Sequence, residues 1–452
     1  MTATITFYGG AGSVTGANFL LDTGNKKILI DCGAQQREQM CDSENSMPFA
    51  YEPHAMDTLI VTHAHQDHIG RIPKLVHDGF HGTILSTPAT RDLAEVMFAD
   101  SIAVMAHDAE KHGCTPLYDE HAVKQALNLW HTHEYHEPFA IGDAQIEFLD
   151  AGHVLGSAMV RCERGGKNIV FTGDLGNSPD PLLPDTESIE GTHYLVMESV
   201  YGDRLHEDKE QRSDVLARAV QETMRKKGTL LIPSFSLERT QIILFELKEL
   251  FARNAIESIP VYLDAPLANK VTAIFRRYTA LLNTEAQKIK QDEGDLFVFD
   301  DLHVIAHTGQ SRSIHEAEDP KIIIAGAGMS NGGRIRAHEA YVLPKKNATV
   351  LFVGYQAPGS LGRRIADGAR EVTIDGARVS VRAKLEQLGG FSGHRDRDGL
   401  MSFVETAGET LSHVFVVMGE PRSELFLAQR IRDFYGINAQ VPGNGESATI
   451  DW

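Results

Sequence analysis

The sequence predicts an α/β protein in which a parallel α/β unit interrupts a more strand-rich body, on three observations. At 452 residues the chain exceeds what one hydrophobic core holds, so two or three domains are expected. Up to about residue 204 the apolar runs are strand-length, and the polar chemistry sits just past their ends in Gly, Asp or His turns. Beyond that point strand-like runs alternate with amphipathic helical stretches, the texture of a parallel sheet with crossover helices.

In chain order, "TITFYG" and "NFLLDTGNKKILIDCG" read as strands, the latter folded across Gly24-Asn25-Lys26 as a hairpin. "DTLIVT" runs into a polar turn, "GTILSTP" follows, and a helix is expected from about Ala89 to His107. "AQIEFLDAGH" and "GKNIVFTGDLGN" are again strands entering polar turns. Further on, "SDVLARAVQETMRKKG" reads as a helix with Ser213 as N-cap and Gly228 at its close. "TLLIPSF" is a strand and "LERTQIILFELKELF" an amphipathic helix, after which "IPVYLD", "KIIIAGAG" and "ATVLFVGYQ" repeat the strand-to-turn theme. The tail, "SHVFVVMGEP" and "SELFLAQRIRDFYG", adds one strand and one helix.

Composition narrows the function classes. With 42% hydrophobic and 23% charged residues and no low-complexity block, the chain is globular. The first twenty residues lack the basic start and apolar run of a signal peptide, and no stretch approaches a membrane span. Cys32, Cys41, Cys114 and Cys162 are widely spaced with no Cys-x-x-Cys pair, which predicts a reduced, cytoplasmic protein. A formal charge of −19 repels nucleic acid at long range, so any such partner needs a local basic or metal-rich cleft.

The densest chemistry is "VTHAHQDHIGR", where His63, His65, Asp67 and His68 form H-x-H-x-D-H at a strand end. Alternate residues of an extended segment point the same way, so His63 and His65 can share one metal, and the turn brings Asp67 and His68 beside it. A lone H-x-H would suit a histidine-rich surface loop. Four ligand-type residues in six positions, after an apolar strand and before a glycine, point instead to zinc.

This motif resembles the signature of the metallo-β-lactamase superfamily, and the rest of that pattern follows in order: Asp31 in "ILID", His153 in "DAGHVLGSA" and Asp174 in "FTGDLGN". The resemblance implies an αββα sandwich holding two zinc ions, with His63, His65 and His153 on the first, Asp67 and His68 on the second, and Asp174 bridging. Two metals about 4 Å apart generate hydroxide at neutral pH and stabilise a phosphodiester transition state. Later segments, "MESVYGDR", "IPSFSLERTQ", "YLDAPLA", "AGAGMSNGGRI", "FVGYQAPGSLG" and "LGGFSGHRD", are similar to those of the β-CASP ribonucleases, bacterial relatives of the cleavage subunit of the pre-mRNA 3′-end-processing factor. That likeness implies a metallo-β-lactamase domain in residues 1–205 and 376–452, interrupted by a β-CASP domain in 206–375, with RNA in the cleft between them. It makes Asp67, Glu198 and His394 catalytic, the last protonating the departing oxygen with Glu198 behind it, as a histidine of near-neutral pKa backed by a carboxylate can do.

Two turns offer phosphate contacts: "PSFSLER" with Ser234, Ser236 and Arg239, and the glycine-rich "GAGMSNGGR" with Ser330, Arg334 and Arg336. Read alone, each is equally a tight turn.

The chain departs from the family pattern at Met418, which stands where a histidine completes the second zinc site. A thioether suits zinc among oxygen and nitrogen ligands poorly. Ala265 and Ala327 replace serines common in relatives. Three readings stay open: a two-zinc ribonuclease, a weakly active relative that binds RNA or a protein with its second metal weak or replaced by manganese, and a small-molecule phosphodiesterase. RNA is the implied partner, a membrane is not, and a homodimer is left open.

Overall fold

The computed structural model describes residues 2–36, 43–206, 212–354, 356, 359–388 and 392–452. Cys41, Tyr355, Ala357 and Pro358 of "FVGYQAPGSLG", and Gly389, Gly390 and Phe391 of "LGGFSGHRD", lie outside the described residues. The chain divides into two compact units, Met1–Leu205 with Gly393–Trp452, and His206–Ser392.

The first unit contains two seven-stranded sheets. One carries β1 (Thr2–Gly9), β2 (Asn18–Asp22), β3 (Lys27–Ile30), β4 (Thr58–Ile60), β5 (Thr83–Ser86) and β6 (Trp130–Thr132) side by side in chain order. The other carries β7 (Phe139–Ile141), β8 (Ala144–Asp150), β9 (Ala158–Arg164), β10 (Lys167–Phe171) and β11 (Tyr194–Met197). In the second unit, β12 (Thr229–Pro233), β13 (Val261–Asp264), β14 (Leu302–Val304), β15 (Lys321–Ala325), β16 (Thr349–Phe352) and β19 (Lys384–Gln387) form one all-parallel sheet in the order β14-β13-β15-β12-β16-β19, with β17 (Glu371–Ile374) and β18 (Ala377–Ser380) as a separate hairpin. Back in the first unit, β20 (His413–Val416) joins β11, β21 (Asn438–Gln440) joins β20, and β22 (Ser447–Asp451) joins β1.

The sandwich follows from where the apolar side chains point. Phe7, Phe19 and Ile30 of the first sheet meet Ile146, Val160, Phe171 and Phe415 of the second in one core. The Phe7 and Phe415 rings stand 5.4 Å apart, and full burial of each such ring is worth roughly 1.5–3 kcal/mol. The other face of the second sheet, with Met159, Val170, Leu195 and Val414, packs under helices Arg397–Glu405 and Pro421–Tyr435. Strands covered on both faces have no polar face, which is why "YLVM" and "HVFV" read as unbroken apolar runs. The expected αββα sandwich with an inserted α/β unit is the fold observed.

Several details differ from expectation. The inserted unit runs to Ser392 rather than 375, because β19 is a strand of its sheet, hydrogen-bonded along β16. The first long helix spans Pro88–His112, since Gly113 is the first residue to stop it, in the left-handed conformation at φ 71°. Ser213 lies inside a helix already formed at Arg212, and its hydroxyl accepts from Arg253 instead of capping. Strands β21 and β22 were not expected. Cys114 is disulfide-bonded, so free thiols are found at Cys32 and Cys162, both buried. Among the described residues no helix is long and apolar enough to cross a membrane.

Candidate metal centre

The chemistry of the first unit lies beyond the C-terminal ends of its strands. Asp31 follows β3, the 63–68 turn follows β4, His153 follows β8, Asp174 follows β10 and Glu198 follows β11. The β3 turn approaches the histidine turn so closely that a Cβ on Gly33 would stand 1.6 Å from the Asp67 carbonyl oxygen. Only glycine fits there.

His63, His65, His153 and Asp174 place one ligand atom each within 4.8 Å of one another. Their separations are 3.1 Å from His63 Nε2 to His65 Nδ1, 3.3 Å from His65 Nδ1 to His153 Nε2, and 3.4 and 3.5 Å from Asp174 Oδ2 to His63 Nε2 and His153 Nε2. A tetrahedral zinc with ligands at 2.0–2.1 Å has edges of about 3.3 Å. These four separations lie near that edge and all six lie within 4.8 Å, a donor set close enough to gather around one such ion.

The outer hydrogen bonds turn the lone pairs inward. His153 Nδ1 donates to the Gly393 carbonyl at 2.9 Å, and His68 Nδ1 donates to Asp31 Oδ2 at 2.7 Å. An oxygen acceptor fixes each proton on Nδ1 and leaves Nε2 free to ligate. The Thr62 hydroxyl donates to the same Asp31 oxygen at 2.8 Å and lies 3.1 Å from His63 Nδ1. Burial, then neighbouring histidines, hold His65 and His153 well below the ordinary histidine pKa, in the neutral form that binds metal. For His68 burial acts the other way from the Asp174 and Asp31 carboxylates, and the carboxylates win, raising it.

His68 Nε2 and Asp174 Oδ1 are both buried without a hydrogen-bond partner, 3.3 Å apart. Each faces only the other, at ion-pair distance and without hydrogen-bond geometry, an arrangement a second cation would satisfy. A second group of potential ligands consists of Asp174, Glu198 and His394, again within 4.8 Å. Asp67 falls in neither group, and its Oδ1 accepts from Gln36 Nε2 at 3.2 Å. Glu198 is buried and accepts from the backbone N–H groups of Leu175 at 2.7 Å and Val200 at 3.3 Å. His394 Nδ1 lies 3.1 Å from Glu198 Oε1 and 3.9 Å from Asp174 Oδ2. Burial alone would lower the His394 pKa, but Glu198 and Asp174 outweigh it and push it up to about 9.

Met418 is buried in the core between the sheets, with its sulfur against Gly10 and its N–H bonded to the Gly10 carbonyl at 2.6 Å. Its φ of +52° is the left-handed region, uncommon for a residue with a side chain.

In the second unit the expected phosphate contacts mostly turn inward. The Ser234 hydroxyl is buried against the Phe235 carbonyl and Thr240. The Ser330 hydroxyl is buried and donates to Glu339, and Arg334 is paired with Asp264. Arg239 is buried, while Ser236 is half-exposed. A side-chain hydroxyl already bonded inside the protein is unavailable to a ligand, which leaves Ser236 as the accessible hydroxyl of these turns.

The roles of Thr62 and the Gly393 carbonyl escaped the sequence reading, and Asp31 entered it only as part of a pattern. A carboxylate just past an apolar strand that pairs with the metal strand was the available signal. Replacing Asp31 by Asn keeps the shape and the left-handed backbone at φ 59°. It puts an NH2 against donors on one side, since Thr62 N–H, Thr62 Oγ and His68 Nδ1 all donate to this carboxylate. The expected result is a 10- to 100-fold loss of zinc affinity, measured by competition with a chromogenic chelator, with an unchanged circular dichroism spectrum.

Comparison with known proteins agrees with this geometry. Residues 240–365 match the Beta-Casp domain family, residues 378–442 the family described as Zn-dependent metallo-hydrolase RNA specificity domain, and residues 5–195 the anti-Pycsar protein Apyc1 family. The chain is 34% identical to Ribonuclease TTHA0252 of Thermus thermophilus, over 93% of this chain and 94% of that one. It is 32% identical to the transcription termination factor FttA of Methanothermobacter thermautotrophicus, over 99% of this chain and 72% of the other. A solved protein of unknown function from Enterococcus faecalis shares the fold, with a TM-score of 0.58 and 12% identity over the full length of both chains.

Proposed function

Because the chain belongs to the metallo-β-lactamase superfamily and carries an inserted β-CASP domain, we propose that it is a zinc-dependent ribonuclease that hydrolyses phosphodiester bonds of RNA. The observation that carries the reading is Asp174, which is a member of both ligand groups and so sets the metal site beside His394. Zinc bound there would supply a Lewis acid and activate water at neutral pH. The chain's own part is positional. His65 and His153, kept neutral, converge with His63 on the point where an ion would sit, and Asp174 would contribute the negative charge that holds a dication. Glu198 fixes the Nδ1–H of His394, which leaves Nε2–H as the proton for the departing 3′-oxygen.

A second reading, an RNA-binding relative that cleaves weakly, is favoured by Met418. Its sulfur is packed on Gly10, so the strand that should close the second site gives no ligand. Both readings are tested by elemental analysis of the purified protein together with cleavage of a labelled RNA in added zinc or manganese. The first expects close to two metals per chain and cleavage that a chelator abolishes and metal restores. A single metal with RNA bound but intact would move the assignment to the second reading. Turnover of a small diester unaffected by competing RNA would sink both.

A further inference from the structure

Residues 334–384 hold ten Lys and Arg against four Asp and Glu, in a chain whose formal charge is −19. Some of these cations are neutralised in place, Arg336 by Asp375, Arg363 by Asp367 and Arg378 by Glu371. Lys345, Lys346, Arg370 and Arg382 have no carboxylate partner among the described residues. The backbone gathers them. Arg382 N–H donates to the Leu343 carbonyl at 2.7 Å, two residues before Lys345, and Val381 N–H donates to the Arg370 carbonyl at 2.9 Å. Arg382 is exposed between half-buried Val381 and buried Ala383, as alternation along an extended segment requires. Lys345 and Lys346 precede β16, Arg382 precedes β19 and Arg370 precedes β17. The first three therefore lie at the N-terminal ends of the parallel strands, whereas the 234–239 and 326–333 turns follow the C-terminal ends of β12 and β15.

Beside the cations stands an aligned aromatic pair. The His315 ring stacks on Tyr341 with centroids 4.0 Å apart and planes 7° from parallel, and Lys345 Nζ lies 3.4 Å from the Tyr341 centroid. Two groups so close to one ring cannot share a face, so Tyr341 is sandwiched between them, and His315 is half-buried. A buried chain fixes that ring. The Asp264 carboxylate, which also binds Arg334, lies 2.8 Å from His338 Nε2, and His338 Nδ1 lies 2.9 Å from His315 Nε2. Burial, then His338 and Lys345, push the His315 pKa down to about 4, so the ring is uncharged at neutral pH.

A planar neutral ring flanked by uncompensated cations matches the two halves of a nucleotide, a base to stack and a phosphate to neutralise. We propose that this face of the second unit binds single-stranded RNA, with a base on His315 and phosphates on Lys345, Lys346, Arg370 and Arg382. The proposal rests on the ribonuclease reading for its partner. An acidic protein would use the cations but would have no use for the fixed ring.

The test is fluorescence anisotropy of a labelled, phosphorothioate-linked oligouridine on the intact zinc-loaded protein across a salt series. Lys346→Gln with Arg382→Gln is expected to weaken binding roughly tenfold and to flatten the slope of log K against log salt by about 1.4, at about 0.7 per lost phosphate contact. His315→Ala is expected to weaken binding roughly tenfold with the slope unchanged. Wild-type affinity in all variants, while the wild type cleaves RNA, overturns the proposal and leaves the ribonuclease reading standing. Loss of binding in the variants of a protein that holds its metals and cleaves nothing keeps the contact site and ends that reading. If His315→Ala binds as tightly as wild type and polyglutamate displaces the oligouridine, the face is a site for acidic protein and the RNA assignment fails.

Discussion

His153→Ala is expected to strip zinc from the first position and lower kcat/KM on RNA by about a thousandfold or more. The ring has two engaged atoms. Nε2 is one of four potential ligand atoms gathered within 4.8 Å, and Nδ1 is anchored on the Gly393 carbonyl. Alanine leaves three potential ligands, and the several kcal/mol that a Lewis acid contributes at the phosphoryl oxygens is lost with the ion. Removing the ion also leaves His63, His65 and Asp174 crowding one another at 3.1–3.4 Å with no cation between them. The melting temperature should therefore fall on chelation in the wild type and fall no further on chelation in the variant. Metal content by elemental analysis, RNA cleavage and thermal unfolding check this. Full zinc occupancy with activity within tenfold of wild type would remove His153 from the ligand set.

His394→Ala is expected to slow RNA cleavage by 10²- to 10⁴-fold, the usual worth of a positioned acid, with both metals retained. Glu198→Gln should slow it less, since the amide oxygen can still hold Nδ1–H. The decisive comparison is the leaving group. An RNA 3′-oxygen needs a proton, whereas p-nitrophenolate leaves without one, so a p-nitrophenyl phosphodiester should be hydrolysed by His394→Ala nearly as fast as by wild type. If the variant instead loses a metal and both substrates suffer alike, His394 belongs to the second ligand group rather than to proton transfer. The geometry permits that contest to be decided, because His394 Nδ1 sits 3.1 Å from Glu198 and 3.9 Å from Asp174.

How much of this was legible in the sequence depends on distance along the chain. His63, His65, Asp67 and His68 lie within six positions just past β4, and that density of ligand types announces a metal site. His153 and Asp174 come from strands of the other sheet, and no local pattern could bring them to His65, so their place rested on family likeness. The phosphate turns show where local reading fails. "GAGMSNGGR" has the composition of an anion cradle, but Ser330 turns into the interior because Glu339, on the following helix, takes its hydroxyl. Arg334 likewise meets Asp264, seventy residues earlier and at the end of a different strand. Strand β22 escaped because "SATID" is short and mostly polar, and only its pairing with β1 makes it a strand. The His315 and Tyr341 stack had no sequence signal at all.

The interruption of the first unit also sets a timetable for making the protein. Strand β11 ends at Met197, but β20, which pairs with it, starts at His413, and His394 lies between them beyond the inserted unit. At about 5–20 residues per second, the ribosome needs roughly 10–40 s to cross from residue 205 to 393. Through that interval the edge of β11 that β20 will take is unpaired, while the strands of the inserted unit are all present by Ser392. The metal-binding half is begun first and finished last, so a chain released early from the ribosome carries the histidine turn but not the acid that works with it.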